Sequence, residues 1–225
     1  MASFPVIETT NTSVLDTAGT SHTINLPTGI SAGDLLLIFF ATSNYWGKSS
    51  GTLTDPSGFT RLGTGGDGGG FDDSGMTVLY KVATGSEGAT IGATTSANVA
   101  SSHTTWRISN YTGTPFISTF DSGSGDPNPP ALTPAGGAKD FLWIAVGAWK
   151  DSPGVTAYPT DYNDNQSTLS SSGGQKASHA LATLSLNTTT QDPGVFNISD
   201  NRKVACTVAL AGAPAAAFVH KMTMF

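Results

Sequence analysis

The stretch Asp140 to Lys150, D-F-L-W-I-A-V-G-A-W-K, constrains the chain most. From Phe141 to Ala148 no position carries a polar side chain, on either parity. Such a run is a strand covered on both faces or a buried helical segment, and periodicity alone does not choose. The flanks do. Gly136 and Gly137 precede it, Pro153 and Gly154 follow it, and the surroundings are rich in Thr and Gly. That setting favours a strand.

A similar passage occurs earlier. Leu26-Pro27 and then Gly33-Asp34-Leu35-Leu36-Leu37-Ile38-Phe39-Phe40-Ala41 parallel Leu132, Pro134 and then Lys139-Asp140-Phe141-Leu142-Trp143-Ile144-Ala145-Val146. Each is followed by a polar loop and a short proline–aromatic unit, Pro56-Ser57-Gly58-Phe59-Thr60 in one case and Tyr158-Pro159-Thr160-Asp161-Tyr162 in the other. Each half also closes on an alternating segment ended by glycine: Thr105–Ile108 up to Gly113, and Val204–Leu210 up to Gly212. Internal duplication and the generic similarity of sandwich strands both account for this.

Helical periodicity is nearly absent. Short β-prone runs at 21–26, 35–42, 76–82, 89–95, 102–108, 177–186 and 203–210 alternate with turn clusters such as Thr84-Gly85-Ser86-Glu87-Gly88 and Asp192-Pro193-Gly194. The pattern predicts an all-β fold, a jelly-roll-like β-sandwich with extended N- and C-terminal arms. We expect one domain over 1–212, with similar halves at 13–120 and 132–212. A proline-rich connector at 121–134 joins them, and a C-terminal arm occupies 213–225. Gly63 to Asp73 reads as too glycine-rich for a regular element. The last segment, Phe218 to Phe225 behind an Ala/Pro spacer, reads either as a final strand on its own domain or as an arm on a neighbouring subunit.

Charged residues make up 12% of the 225-residue chain, about half the ordinary share, and the net charge is −6. No Lys/Arg cluster exists, which argues against a nucleic-acid partner. No apolar run approaches the ~20 residues of a membrane helix, and the first residues lack the basic and apolar regions of a secretory signal. Cys206 is the only cysteine, so no intrachain disulfide forms, and its parity with Val204, Val208 and Leu210 predicts a buried thiol.

Candidate chemistry is sparse. The run Gly63-Thr64-Gly65-Gly66-Asp67-Gly68-Gly69-Gly70 lacks the Gly-Lys-Ser/Thr ending of a phosphate loop. His22, His103, His179 and His220 stand at no ligand spacing, and hydrogen-bonded or surface imidazoles are the ordinary outcome. Aspartates gather in loops (67, 72, 73; 121, 126; 161, 164) without the spacing of a calcium loop. Glu8 and Glu87 are the only glutamates, and no nucleophile elbow occurs. We therefore expect no enzyme, no catalytic residue, no metal and no cofactor. Two groups remain. The terminal apolar residues Phe4, Val6, Ile7, Phe218, Val219, Met222, Met224 and Phe225 are candidates for partner binding. The aromatics Tyr45, Trp46, Trp149, Tyr158 and Tyr162 are candidates for stacking on glycans, or for plugging the core ends or an interface.

The landmarks Leu26-Pro27, Gly33-Asp34-Leu35-Leu36, Pro56-Ser57-Gly58-Phe59, Tyr80 to Glu87 and Asp140-Phe141-Leu142-Trp143 together resemble a family of tailed-bacteriophage virion structural proteins, over roughly residues 5 to 210. The resemblance implies a non-enzymatic β-sandwich built into a phage particle and transfers no functional residue. Under it we expect a capsid decoration or cement protein on the outer capsid surface, assembled in the host cytoplasm. Its partners would be the major capsid protein and copies of itself as a trimer, with no nucleic acid and no membrane. The alternative is a tail- or fibre-associated adhesin or carbohydrate-binding module contacting host glycans.

Overall fold

A computed structural model describes residues 3–43, 53–66, 74–150, 154–170, 176–198 and 202–214. Twelve strands appear among them: β1 Val6–Asn25, β2 Leu35–Ser43, β3 Leu53–Thr54, β4 Thr60–Gly66, β5 Ser74–Val82, β6 Thr90–Ser109, β7 Tyr111–Ile117, β8 Asp121–Gly123, β9 Lys139–Lys150, β10 Asn163–Leu169, β11 Ala177–Thr188 and β12 Lys203–Gly212. They form two antiparallel six-stranded sheets, the layers of a β-sandwich. The run that reads as a doubly covered strand is β9, in the middle of the second sheet, with β11 and β12 as neighbours.

The two sheets repeat one plan. The first has the order β1-β6-β2-β5-β4, with β3 also on β6; the second has β7-β12-β9-β11-β10, with β8 also on β12. Replacing β1, β2, β4, β5 and β6 by β7, β9, β10, β11 and β12 converts one order into the other. The proline–aromatic units are the same turn in each half. Phe59 N–H donates to the Pro56 carbonyl at 3.0 Å, and Tyr162 N–H to that of Pro159 at 3.3 Å. The third residue lies in the left-handed region both times, Gly58 at φ 79° and Asp161 at φ 68°.

One detail of the expected repeat shifts. Aligning Leu35 with Phe141 would set a residue of the inter-sheet core against one of the outer core. The shared turn gives another register: Thr60 faces Tyr80 as Asn163 faces Thr183, so Lys81 corresponds to Leu184 and its neighbour Leu36 to Trp143. Those pairs share a face, as a period of two demands. The chain also changes sheets at Asn110, earlier than the expected connector. Residues 111–123 supply β7 and β8 to the second sheet.

Three apolar layers result. Between the sheets lie Leu35, Leu37, Phe39, Val78, Trp106 and Ile108 against Leu142, Ile144, Val146, Leu181, Val208 and Leu210. Phe141, Trp143, Trp149 and Phe196 belong to a layer outside the second sheet. Leu36, Ile38 and Phe40 belong to one outside the first. The first sheet covers this face with its own longest strands. β1 and β6 are 20 residues each, and register shifts between Leu15, Gly19 and Ser21 bend the ribbon. Its far end folds back, placing Ile24, Leu26, Ile91 and Ala93 on the outer face. Asn11 Nδ2 holds the returning chain at the Leu26 carbonyl, 2.9 Å away.

Several expectations change here. Residues 4–10 are not a detached arm, since β1 begins at Val6 and pairs with Ser109 of β6. The runs at 89–95 and 102–108 are one strand, β6. Gly63 to Gly66 belong to β4 rather than to a loop, and 67–73 lie outside the described residues. The glycines serve close approach rather than flexibility. A Cβ at Gly63 would sit 2.9 Å from Ile117 Cδ1, and one at Gly65 would collide with the Phe120 ring.

Candidate functional site

Charged side chains are mostly spent on structure. Asp34 accepts from Ser31 N–H at 2.8 Å and pairs with Arg107 at 3.2 Å, fixing the turn into β2. Lys203 pairs with Asp121, and Arg61 with Asp55 at 2.6 Å. Among the loop aspartates, Asp126 accepts from Ile198 N–H and Asp164 from the Thr183 hydroxyl. Among the described residues no three of His, Cys, Asp and Glu gather as a metal ion would require. Asp67, Asp72 and Asp73 lie outside those residues, as does His220.

The three described histidines are brought together after all, by β6. His22, from β1, and His103 lie on the outer face, with His103 stacked on Phe40 at 4.5 Å. Their hydrogen bonds form a chain whose polarity is determined at one end. Thr95 Oγ1 donates to the Ala97 carbonyl at 2.8 Å, so it accepts from His22 Nε2 at 2.9 Å. His22 Nδ1 then accepts from Ser101 Oγ at 2.7 Å, and Ser101 accepts from His103 Nε2 at 2.8 Å. His103 Nδ1 accepts from Ser13 Oγ at 2.9 Å, and Ser13 accepts from the Asn25 N–H. Both rings are thus neutral Nε2–H tautomers with every polar atom satisfied. On the inner face His179, from β11, bridges Ser102 at 2.7 Å and Thr104 at 2.8 Å, tying the two sheets together.

Burial holds all three imidazoles neutral. It lowers His22 to about 4 and His179 to about 3. His103 falls well below the ordinary range through burial and then the proximity of His22 and His179. Nucleophilic hydroxyls do stand beside imidazoles here, but Ser101, Ser102 and His103 are 0% exposed. No substrate reaches them without opening the sheets, so the cluster is a structural polar core. Sequence separation hid it, because its members come from β1, β6 and β11.

The candidate aromatics divide. Tyr45 and Trp46 lie outside the described residues. Trp149 and Tyr162 are buried in the outer layer of the second sheet, which Tyr158 joins at its edge. Tyr158 stands edge-on to Phe196 at 5.8 Å. These three pack into the core, Trp149 from β9 and Tyr158 and Tyr162 from the segment beyond it, which is one of the two readings given for them. The terminal candidates divide too. Ile7 packs on the inter-sheet core, and Val6 is exposed. The Phe4 carbonyl accepts from Asn110 Nδ2 at 2.6 Å. Phe218, Val219, Met222, Met224 and Phe225 lie outside the described residues.

Two of the open grooves among the described residues adjoin candidate residues. One, of about 630 Å³, runs where the edges of the two sheets meet, between Phe4–Thr10 at the start of β1 and Asp164–Gln166 of β10. The other, of about 820 Å³, lies outside the second sheet between the proline–aromatic turn, the end of β11 and the segment Gln191–Asn197. Its walls include Tyr158, Leu184, Leu186 and Val195, with Asp161 and Asp192 among its polar groups. Leu186 and Val195 are large apolar side chains left exposed. No helix among the described residues is long and apolar enough to cross a membrane. No protein-family model, no curated protein and no solved structure matches the chain.

Proposed function

We propose that this protein is a non-enzymatic structural component of a tailed-phage virion, a decoration or cement protein on the outer capsid surface. The observation that supports this reading best is the edge of β1. β1 ends the order of its sheet, so from Val6 to Thr10 it has a ladder partner on one side only among the described residues. The groove beside it faces β10, an edge strand of the second sheet. A strand edge carries unpaired N–H and C=O groups and recruits an extended segment by main-chain hydrogen bonds, while neighbouring pockets take alternate side chains. The sandwich behind it is rigid, with three apolar layers and a satisfied polar core. Contacts that exist only in the assembled shell favour the shell by mass action, and many weak copies multiply the effect.

The decisive measurement is the copy number in purified particles. A ratio to the major capsid protein fixed by the lattice, together with particles that lose DNA at lower temperature when the protein is absent, is the expected result. A handful of copies per virion would replace this reading with a tail-associated one.

A further inference from the structure

We propose that the groove outside the second sheet is a receptor for a lysine side chain presented by a partner protein, with the methylenes along Leu184 and Leu186 and the ammonium at Asp161 and Asp192. The first sheet contains the template. There the same turn is roofed by the protein's own Lys81, whose chain lies 3.5 Å from where a Cβ on Gly58 would stand. Its ammonium sits 5.8 Å from the centre of the Phe59 ring and pairs with Glu87 at 2.9 Å. The position is thus filled from within by an aliphatic stem, an aromatic floor and a carboxylate partner.

In the second sheet the turn and its aromatic recur, but a leucine takes the place of the lysine. Tyr162 replaces Phe59, Asp161 replaces Gly58, and Leu184 stands where Lys81 does in the register set by the shared turn. Asp192 supplies a second carboxylate, and no Lys or Arg lines the groove. Asp161 holds the left-handed conformation of its glycine counterpart, which aspartate tolerates, and so places a carboxylate where the first sheet has no side chain. The buried Tyr162 hydroxyl lies beside Gln191 and Asp192, two residues of the groove wall. The overall charge of −6 favours a cationic partner at longer range.

The inference rests on the groove and not on the virion reading, and its test uses the purified full chain. The probes are N-acetyl-lysine methylamide and its Nε-acetylated form, titrated while the methyl resonances of Leu184 and Leu186 are followed by NMR. The ammonium probe is expected to shift them saturably. The acetylated probe should bind about two- to fivefold more weakly, the order expected for an exposed ion pair. Asp161→Gly with Asp192→Asn should lose the same factor, and since glycine suits the backbone at 161 the variant should keep its melting temperature within a few degrees. Absence of saturable shifts, equal binding of the acetylated probe, or binding unchanged in the double variant would overturn the proposal. So would calcium ions saturating the same resonances and excluding the lysine probe. Copy number in particles enters none of these outcomes.

Discussion

The hydroxyl of Ser101 donates its proton to Nδ1 of His22 across 2.7 Å. The same oxygen accepts from Nε2 of His103 at 2.8 Å, so one small side chain satisfies two buried rings. Ser101→Ala would leave His22 Nδ1 without a donor and His103 Nε2–H without an acceptor. At about 1–3 kcal/mol for each buried unsatisfied group, the expected loss is about 2–6 kcal/mol. The exposed Ser57→Ala should change stability by no more than about 0.5 kcal/mol. Denaturant unfolding of the two variants checks this, and equal effects would refute the hydrogen-bond chain.

Acid should weaken the fold through the same cluster. The folded-state values of His22 and His179 lie near 4 and 3, below the unfolded value of 6.5. The unfolded chain therefore binds more protons in that window, and stability falls as pH drops from 6.5 towards 4. Each neutral histidine contributes about 1.4 kcal/mol per pH unit at most. Glu87 acts later. Burial raises it, but Thr84 N–H and Lys81 prevail and hold it near 2, so its contribution is lost below 4.5. Melting temperatures between pH 8 and 4 should be flat above 7 and fall below 6.5; a curve flat down to pH 5 would exclude the assignment.

The close approach at Gly65 predicts strong coupling with Phe120. Gly65→Ala forces the ring aside and should cost about 1–3 kcal/mol or more, the usual range for overpacking. Phe120→Ala removes the obstacle. In the double variant the alanine at 65 should cost little, giving a coupling energy above about 1 kcal/mol in a double-mutant cycle. Additive effects would mean that the glycine serves the backbone and not the ring.

Cys206 is fully buried, and burial raises its thiol pKa far from the thiolate range. Native protein should therefore not react with a thiol reagent over a time in which unfolded protein reacts completely. Reaction of the folded chain at the rate of a free thiol would show that β12 opens without global unfolding.

Local sequence was enough for the class of fold. A run free of polar groups on both parities, Phe141–Ala148, needs cover on two faces, and turn chemistry at short intervals leaves strands as the only regular element. The proline–aromatic units adopt the same turn, because Gly58 favours a left-handed third residue and Asp161 tolerates one. Pairing partners were not legible. The start of β1 reads as an extended arm because it meets water along one side, and the glycines of β4 read as a loop because the reason for them, Phe120, lies more than fifty residues away. The histidines looked isolated for the same reason: Ser13, His22, Ser101 and His103 meet only once β1 lies along β6. Side-chain period specifies a face, whereas register and sheet-to-sheet approach depend on long-range contacts, and those decided where the polar core, the exposed edge and the acidic groove lie.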